Sequence, residues 1–218
     1  MKLLHIITLI ISTFISYCNN TYLETRKYED IPGLQLYHLT NKNYYLFSSW
    51  EMEDHENIQG TIYLFLTNDI TYKNIWASVG LGTPGMHGSD MVMCTYVDGK
   101  SDCSDYYSNG HSPVPDVALG GTNDVTFEFG DSSFKLNSHE WNQYSKYYVW
   151  SFKKKLNSED KYDWDRISSM MANKQPVIAA FGEVKLLDNT PDIQFHMDFT
   201  SGRLVDGFGL SDKNNSDL

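Results

Sequence analysis

The chain has 218 residues, 14% of them aromatic with 15 Tyr, and its formal charge at pH 7 is −11. That length points to one domain with a sizeable core, and the aromatic load suits pleated strands better than helices. The negative sign makes nucleic acid and bare anionic membrane surfaces poor partners.

Lys2 and the apolar run Leu3–Ile15 read as a secretory signal, with Ser16 and Cys18 small enough to precede cleavage before Asn19. The run is shorter than the ~20 apolar residues that span a bilayer. No second long apolar stretch follows, and the tail SDKNNSDL is too polar for a lipid-anchor signal. The expected layout is a signal peptide over 1–18, an extension over 19–33, a β-sandwich over 34–210 and a polar tail over 211–218. The mature protein is expected outside the cell, with glycosylation sequons at its two ends, Asn19 and Asn214.

Strands are predicted at Leu34–His38, Tyr44–Glu51, Thr61–Thr67, Ile75–Leu81, Met91–Val97, Cys103–Tyr107, Val125–Phe129, Phe134–Leu136, Tyr147–Lys154, Pro176–Val184 and Ile193–Phe199. Several alternate apolar with polar residues, and turn residues separate them at sandwich-like intervals. Between Asp160 and Asn173, Trp164, Ile167 and Met171 recur at helical spacing. The expected fold is an all-β antiparallel sandwich of immunoglobulin-like two-sheet architecture with one short inserted helix.

After cleavage two cysteines remain, Cys94 and Cys103. Asp98-Gly99 is a strong two-residue hairpin turn, since both positions tolerate positive φ. Counting outward, Val97 faces Lys100, Tyr96 faces Ser101, Thr95 faces Asp102 and Cys94 faces Cys103. At a non-hydrogen-bonded pair the Cα atoms lie ~4.5 Å apart, within disulfide range. Without a further Cys pair or a Cys-x-x-Cys, zinc is a weak alternative, and a disulfide is expected.

Catalytic motifs are missing. There is no Gly-x-Ser-x-Gly elbow, and His139-Glu140 is followed by Trp-Asn-Gln, which lacks the second histidine of a zinc-protease motif. No Gly-x-Gly-x-x-Gly follows a strand, so the chain is expected not to be an enzyme. Asp90, Asp105 and Asp116 offer calcium-type ligands but lack the dense Asp-x-Asp-x-Asp spacing. They are therefore expected to form a solvated acidic face. The run Lys153-Lys154-Lys155 is expected to guard a strand edge against aggregation.

One ordered set of motifs covers most of the mature chain. Ser49-Trp50, Trp76-Ala77, Gly85-Met86, Gly88-Ser89-Asp90, Asp105-Tyr106 and Pro113-Val114-Pro115-Asp116 come first. Val177-Ile178-Ala179-Ala180-Phe181-Gly182, His196, Gly202 and the Asp206/Phe208 stretch follow. The order resembles the DOMON domain, an extracellular β-sandwich used for haem or sugar binding. In the family's cytochrome members a Met and a late His clamp the haem iron, and the matching positions here are Met86 and His196.

The resemblance implies a b-type haem, because no Cys-x-x-Cys-His is present for covalent attachment. A thioether opposite an imidazole favours ferrous iron and one-electron transfer. His87 and His111 are competing ligands, and outside the family such a Met or His reads as filler or surface. The leading expectation is a secreted electron carrier with an extracellular redox partner. The alternatives are a haem-free carbohydrate-binding module using Tyr106, Tyr107, Trp141 and Tyr144, or a structural subunit that self-associates.

Overall fold

The strand Ile75–Leu81, IWASVGL, is buried at every position, which requires cover on both of its faces. The computed structural model describes residues 35–37, 44–53, 56–67, 72–81, 85–110, 112–131, 144–155, 160–163, 175–188 and 190–205. Among them the strands are β1 Gln35–Tyr37, β2 Tyr44–Met52, β3 Asn57–Thr67, β4 Ile75–Leu81, β5 Ser89–Val97 and β6 Lys100–Ser108. They continue with β7 Pro113–Pro115, β8 Val125–Asp131, β9 Tyr144–Lys155, β10 Gln175–Leu187 and β11 Thr190–Val205.

Two antiparallel sheets result, one ordered β1-β2-β3-β9-β8 and the other β11-β10-β4-β5-β6-β7. The expected sandwich is the architecture found. Alternation along β4 sends Ile75, Ala77, Val79 and Leu81 into the core, where they join Ile62, Leu64, Trp150 and Phe152 of the facing sheet. Trp76 lies on the opposite face with Met93 and Val184. The Trp150 indole crosses between the sheets, donating to the Thr95 carbonyl at 2.9 Å.

The hairpin register matches the residue count, with Val97↔Lys100 through Cys94↔Cys103 paired as expected. Asp98 and Gly99 both carry positive φ, 48° and 82°. The disulfide closes between Cα atoms 4.0 Å apart. Met91 and Met93, two residues apart, are buried on one face of β5.

Two expectations need amending. Asp160–Asp163 is a turn, while residues 164–173 of the expected helix lie outside the described residues. The helical element that is described is a single 3₁₀ turn, Asp116–Leu119, closed by Gly120 at φ 86°. The lysine run is on no edge: β9 lies between β3 and β8, and Lys154 is 4% exposed. The Pro-Val-Pro segment forms the short edge strand β7, a place where missing N–H donors cost no ladder bond. No helix among the described residues is long and apolar enough to cross a membrane.

Candidate functional site

The charged interior of the sandwich is built by strand parity. On β5 and β6, Asp90 and Asp105 share the inward face with Val92, Cys94 and Cys103. Across the core, Lys154 of β9 pairs with Ile58 and Val125, both buried. Its Nζ reaches Asp105 Oδ2 at 2.6 Å, Asp90 Oδ1 at 3.1 Å and Asp163 Oδ1 at 3.2 Å. One ammonium thus ties both sheets to the Asp160–Asp163 turn.

Asp116 completes the group. The β6–β7 register pairs Tyr107 with Val114 and Tyr106 with Pro115. That register ends at Pro115, and Asp116 opens the 3₁₀ turn that follows. Asp116 is 1% exposed, and neither of its carboxylate oxygens has a hydrogen-bond partner among the described residues. Asp105 Oδ1 is in the same state, although Oδ2 holds the lysine.

Burial, then the charges of Asp90 and Asp163, pushes the Asp116 carboxyl up to about 7. Burial also drives Asp105 upward, against the pull of Lys154. For Lys154 burial opposes the charge, but Asp90, Asp105 and Asp163 outweigh it and hold the ammonium above its ordinary value. Asp124 is raised by burial and by its hydrogen bond with Asp163. The expected solvated acidic face is therefore buried, because strand alternation turns Asp90 and Asp105 inward and the 3₁₀ turn after β7 buries Asp116.

A rim of polar contacts closes the cluster. The Asp160 carboxylate accepts from the backbone N–H of Thr122 and, at 3.0 Å, of Tyr162. The Tyr162 hydroxyl donates to the Leu119 carbonyl at 3.1 Å. The Tyr162 ring lies 5.2 Å from that of Tyr107, with Lys161 Nζ 4.7 Å from its centroid. Tyr106 and Tyr107, taken together as sugar platforms, point to opposite faces. Tyr106 packs against the outer Trp76 cluster, while Tyr107 meets Tyr162. Trp141 and His111 lie outside the described residues, as do Asn19 and Asn214, and the Tyr144 side chain is not described.

The register does not bring Met86 and His196 together. Met86 is half-buried in the turn before β5, where its carbonyl accepts from Ser89 N–H at 3.0 Å. His196 sits opposite Gly182, in a row that continues through Trp76 to Thr95. From Ser89 to Thr95 the chain advances about 20 Å, and β11 is three strands from β5, about 14 Å more sideways. Donors on opposite sides of one iron stand only about 4–5 Å apart. The cause is the β10–β11 hairpin, which carries the chain past the Trp76 level, turns near Asp188 and returns to that level only at His196. Met86 thus precedes the Ser89 row of the larger sheet, while His196 shares the Thr95 row. His87, next to Met86, is exposed, and its Nδ1 accepts from Gly110 N–H at 3.1 Å.

Lys154 and Asp163 are members of the site that motif reading missed. Parity was the available signal for the lysine, since Trp150, Phe152 and Lys154 share one face of β9.

No curated protein matches the sequence. Among solved structures, the chain is similar to the cytochrome domain of Myriococcum thermophilum cellobiose dehydrogenase, at 11% identity and a TM-score of 0.52. That alignment covers 82% of this chain and 85% of that one, a likeness of fold. The DOMON domain profile matches residues 42–172, a span that takes in the sandwich from β2 to β9 and the Asp90, Asp105, Asp116 and Lys154 cluster. By that match the chain belongs to the DOMON domain family.

Proposed function

We propose that the chain is a non-catalytic, extracellular DOMON module that binds carbohydrate at the rim around Tyr107 and Tyr162. The observation that carries this reading is the half-buried ring pair itself, 5.2 Å between centroids and bordered by Lys161 and Asp160. Aromatic faces receive the C–H faces of sugar rings, and neighbouring carboxylates and ammonium groups bond hydroxyls. The Cys94–Cys103 disulfide and the family agree with an extracellular setting.

The competing reading is an extracellular cytochrome that holds b-type haem and passes single electrons to a redox partner. The fold likeness to a cytochrome domain speaks for it. The separation of Met86 from His196 speaks against it.

Glycan-array screening and calorimetry of the secreted protein test the proposal, alongside absorption spectra with and without added hemin. Glycan binding that is lost in Tyr107→Ala and Tyr162→Ala is the expected result. A sharp low-spin reduced spectrum abolished by His196→Ala and altered by Met86→Ala would instead establish the electron carrier. Neither glycan nor haem binding would leave a structural subunit, whose self-association sedimentation would reveal.

A further inference from the structure

We propose that the acidic cluster at Asp116, Asp105 and Asp90 is a divalent-cation site of calcium type, set beside Lys154 in the sandwich interior. The inference is independent of the carbohydrate reading, because it rests on charge and oxygen geometry alone.

Four carboxylates, Asp90, Asp105, Asp116 and Asp163, converge where Lys154 supplies the compensating ammonium. Buried charge of one sign is costly unless paired, and one lysine faces four carboxyl groups here. The ammonium satisfies one side of the group, engaging Asp105 through Oδ2 alone. Asp105 Oδ1 and both Asp116 oxygens are left buried and unpartnered among the described residues. Asp105 faces the interior from β6, and Asp116 is buried at the start of the 3₁₀ turn that follows β7. A buried carboxylate with both oxygens unpartnered is rare in a folded interior and calls for an unaccounted ligand.

The donor set chooses the ion. Every group in the cluster is a carboxylate, which selects hard cations over zinc or copper. The ligand atoms of Asp90, Asp105 and Asp163 lie within 4.8 Å of one another. Oxygens across a calcium ion stand about 4.6–5.2 Å apart, whereas magnesium draws them to about 4.2 Å. Lys154 already holds one oxygen of each of Asp90, Asp105 and Asp163, and the flexible coordination of calcium, with water completing the shell, suits the oxygens that remain. Because Asp116 opens the 3₁₀ turn and Asp163 closes the Asp160–Asp163 turn, a bound ion would fasten both turns to β5 and β6.

The test uses the full secreted chain, stripped with chelator and titrated with calcium or magnesium to several millimolar. Extracellular calcium modules respond at about 10⁻⁴–10⁻³ M. Calcium should raise Tm saturably, with magnesium much weaker. Terbium(III) should bind in its place and luminesce on tyrosine excitation through Tyr107 and Tyr162. Asp116→Asn keeps the shape but removes the charge, so it should weaken calcium binding by about tenfold or more. Without calcium, that variant should be at least as stable as the chelated wild type. Asp188→Asn, on the exposed β10–β11 turn, should leave the calcium response intact. No calcium-dependent shift in the wild type would overturn the proposal, as would an unchanged response in Asp116→Asn.

Discussion

Lys154 reaches across the sandwich from β9 to β6, where its Nζ stands 2.6 Å from Asp105 Oδ2. Both residues are almost wholly buried, so this ion pair joins the two sheets through the core. The flanking bonds to Asp90 and Asp163 add the start of β5 and the Asp160–Asp163 turn to the same centre. A charge placed here is a matter of fold specification as much as of binding, since removing one partner strands the others in low dielectric.

Lys154→Met should accordingly destabilise the domain by about 3–5 kcal/mol, because three carboxylates lose their cation. Adding Asp105→Asn to that variant should restore part of the loss. Urea unfolding of the single and double variants measures the coupling. A Lys154→Met protein as stable as wild type would mean that the lysine does not balance the cluster.

Gly60 faces a different constraint. It lies in the middle of β3 beneath the edge-on pair of Trp50 and Phe152, whose ring centroids are 5.4 Å apart. A Cβ at this position would run into the Phe152 ring and touch Trp50. Gly60→Ala should therefore cost about 1–3 kcal/mol through overpacking, despite the better strand propensity of alanine. Phe152→Leu in the same background should recover part of it, as denaturation midpoints would show.

Local chemistry was legible in the sequence wherever neighbours along the chain decide it. Asp98-Gly99 dictates its turn, and the turn dictates the whole β5–β6 register down to the disulfide. Alternation likewise reveals β3, whose Ile62, Leu64 and Leu66 face the core. What motif reading missed depends on strands distant in sequence. Nothing near Lys154 announces that Asp90 and Asp105 will face it across the core. The separation of Met86 from His196 follows from how far the β10–β11 hairpin extends before returning, a length that no motif encodes. The Asp-rich motifs were visible, but their burial needed the sheet order β5-β6-β7.

The Cys94–Cys103 bridge should be present in non-reduced, denatured protein, with no free thiol at either position by alkylation and mass spectrometry. Replacing both cysteines with alanine should lower stability by roughly 2–3 kcal/mol, the range for so small a closed loop. The hairpin register should survive, since Asp98-Gly99 and the buried Met93 and Val92 specify it independently. A larger loss accompanied by exchange-labile β6 amides would show that the bridge, and not the turn, sets the register.

Asp116 predicts an unusual pH dependence in calcium-free solution. Its folded-state carboxyl titrates at about 7 because burial, and then Asp90, Asp163 and Asp160, disfavour the anion against the smaller pull of Lys154. In the unfolded chain the same group ionises near ~3.9. Well below that value both states are protonated, and Asp116 contributes no pH dependence. Between about pH 4 and pH 7 the native state holds a proton that the unfolded state has released, so this group lowers stability as pH rises. Above about 7 both states are ionised and its penalty is constant. Asp105, also raised by burial, acts in the same direction, while the elevated Lys154 keeps its charge throughout this window. Urea midpoints in chelator should therefore fall between about pH 5 and pH 7.5, and Asp116→Asn should flatten that fall. A variant that keeps the wild-type slope would remove Asp116 as its source.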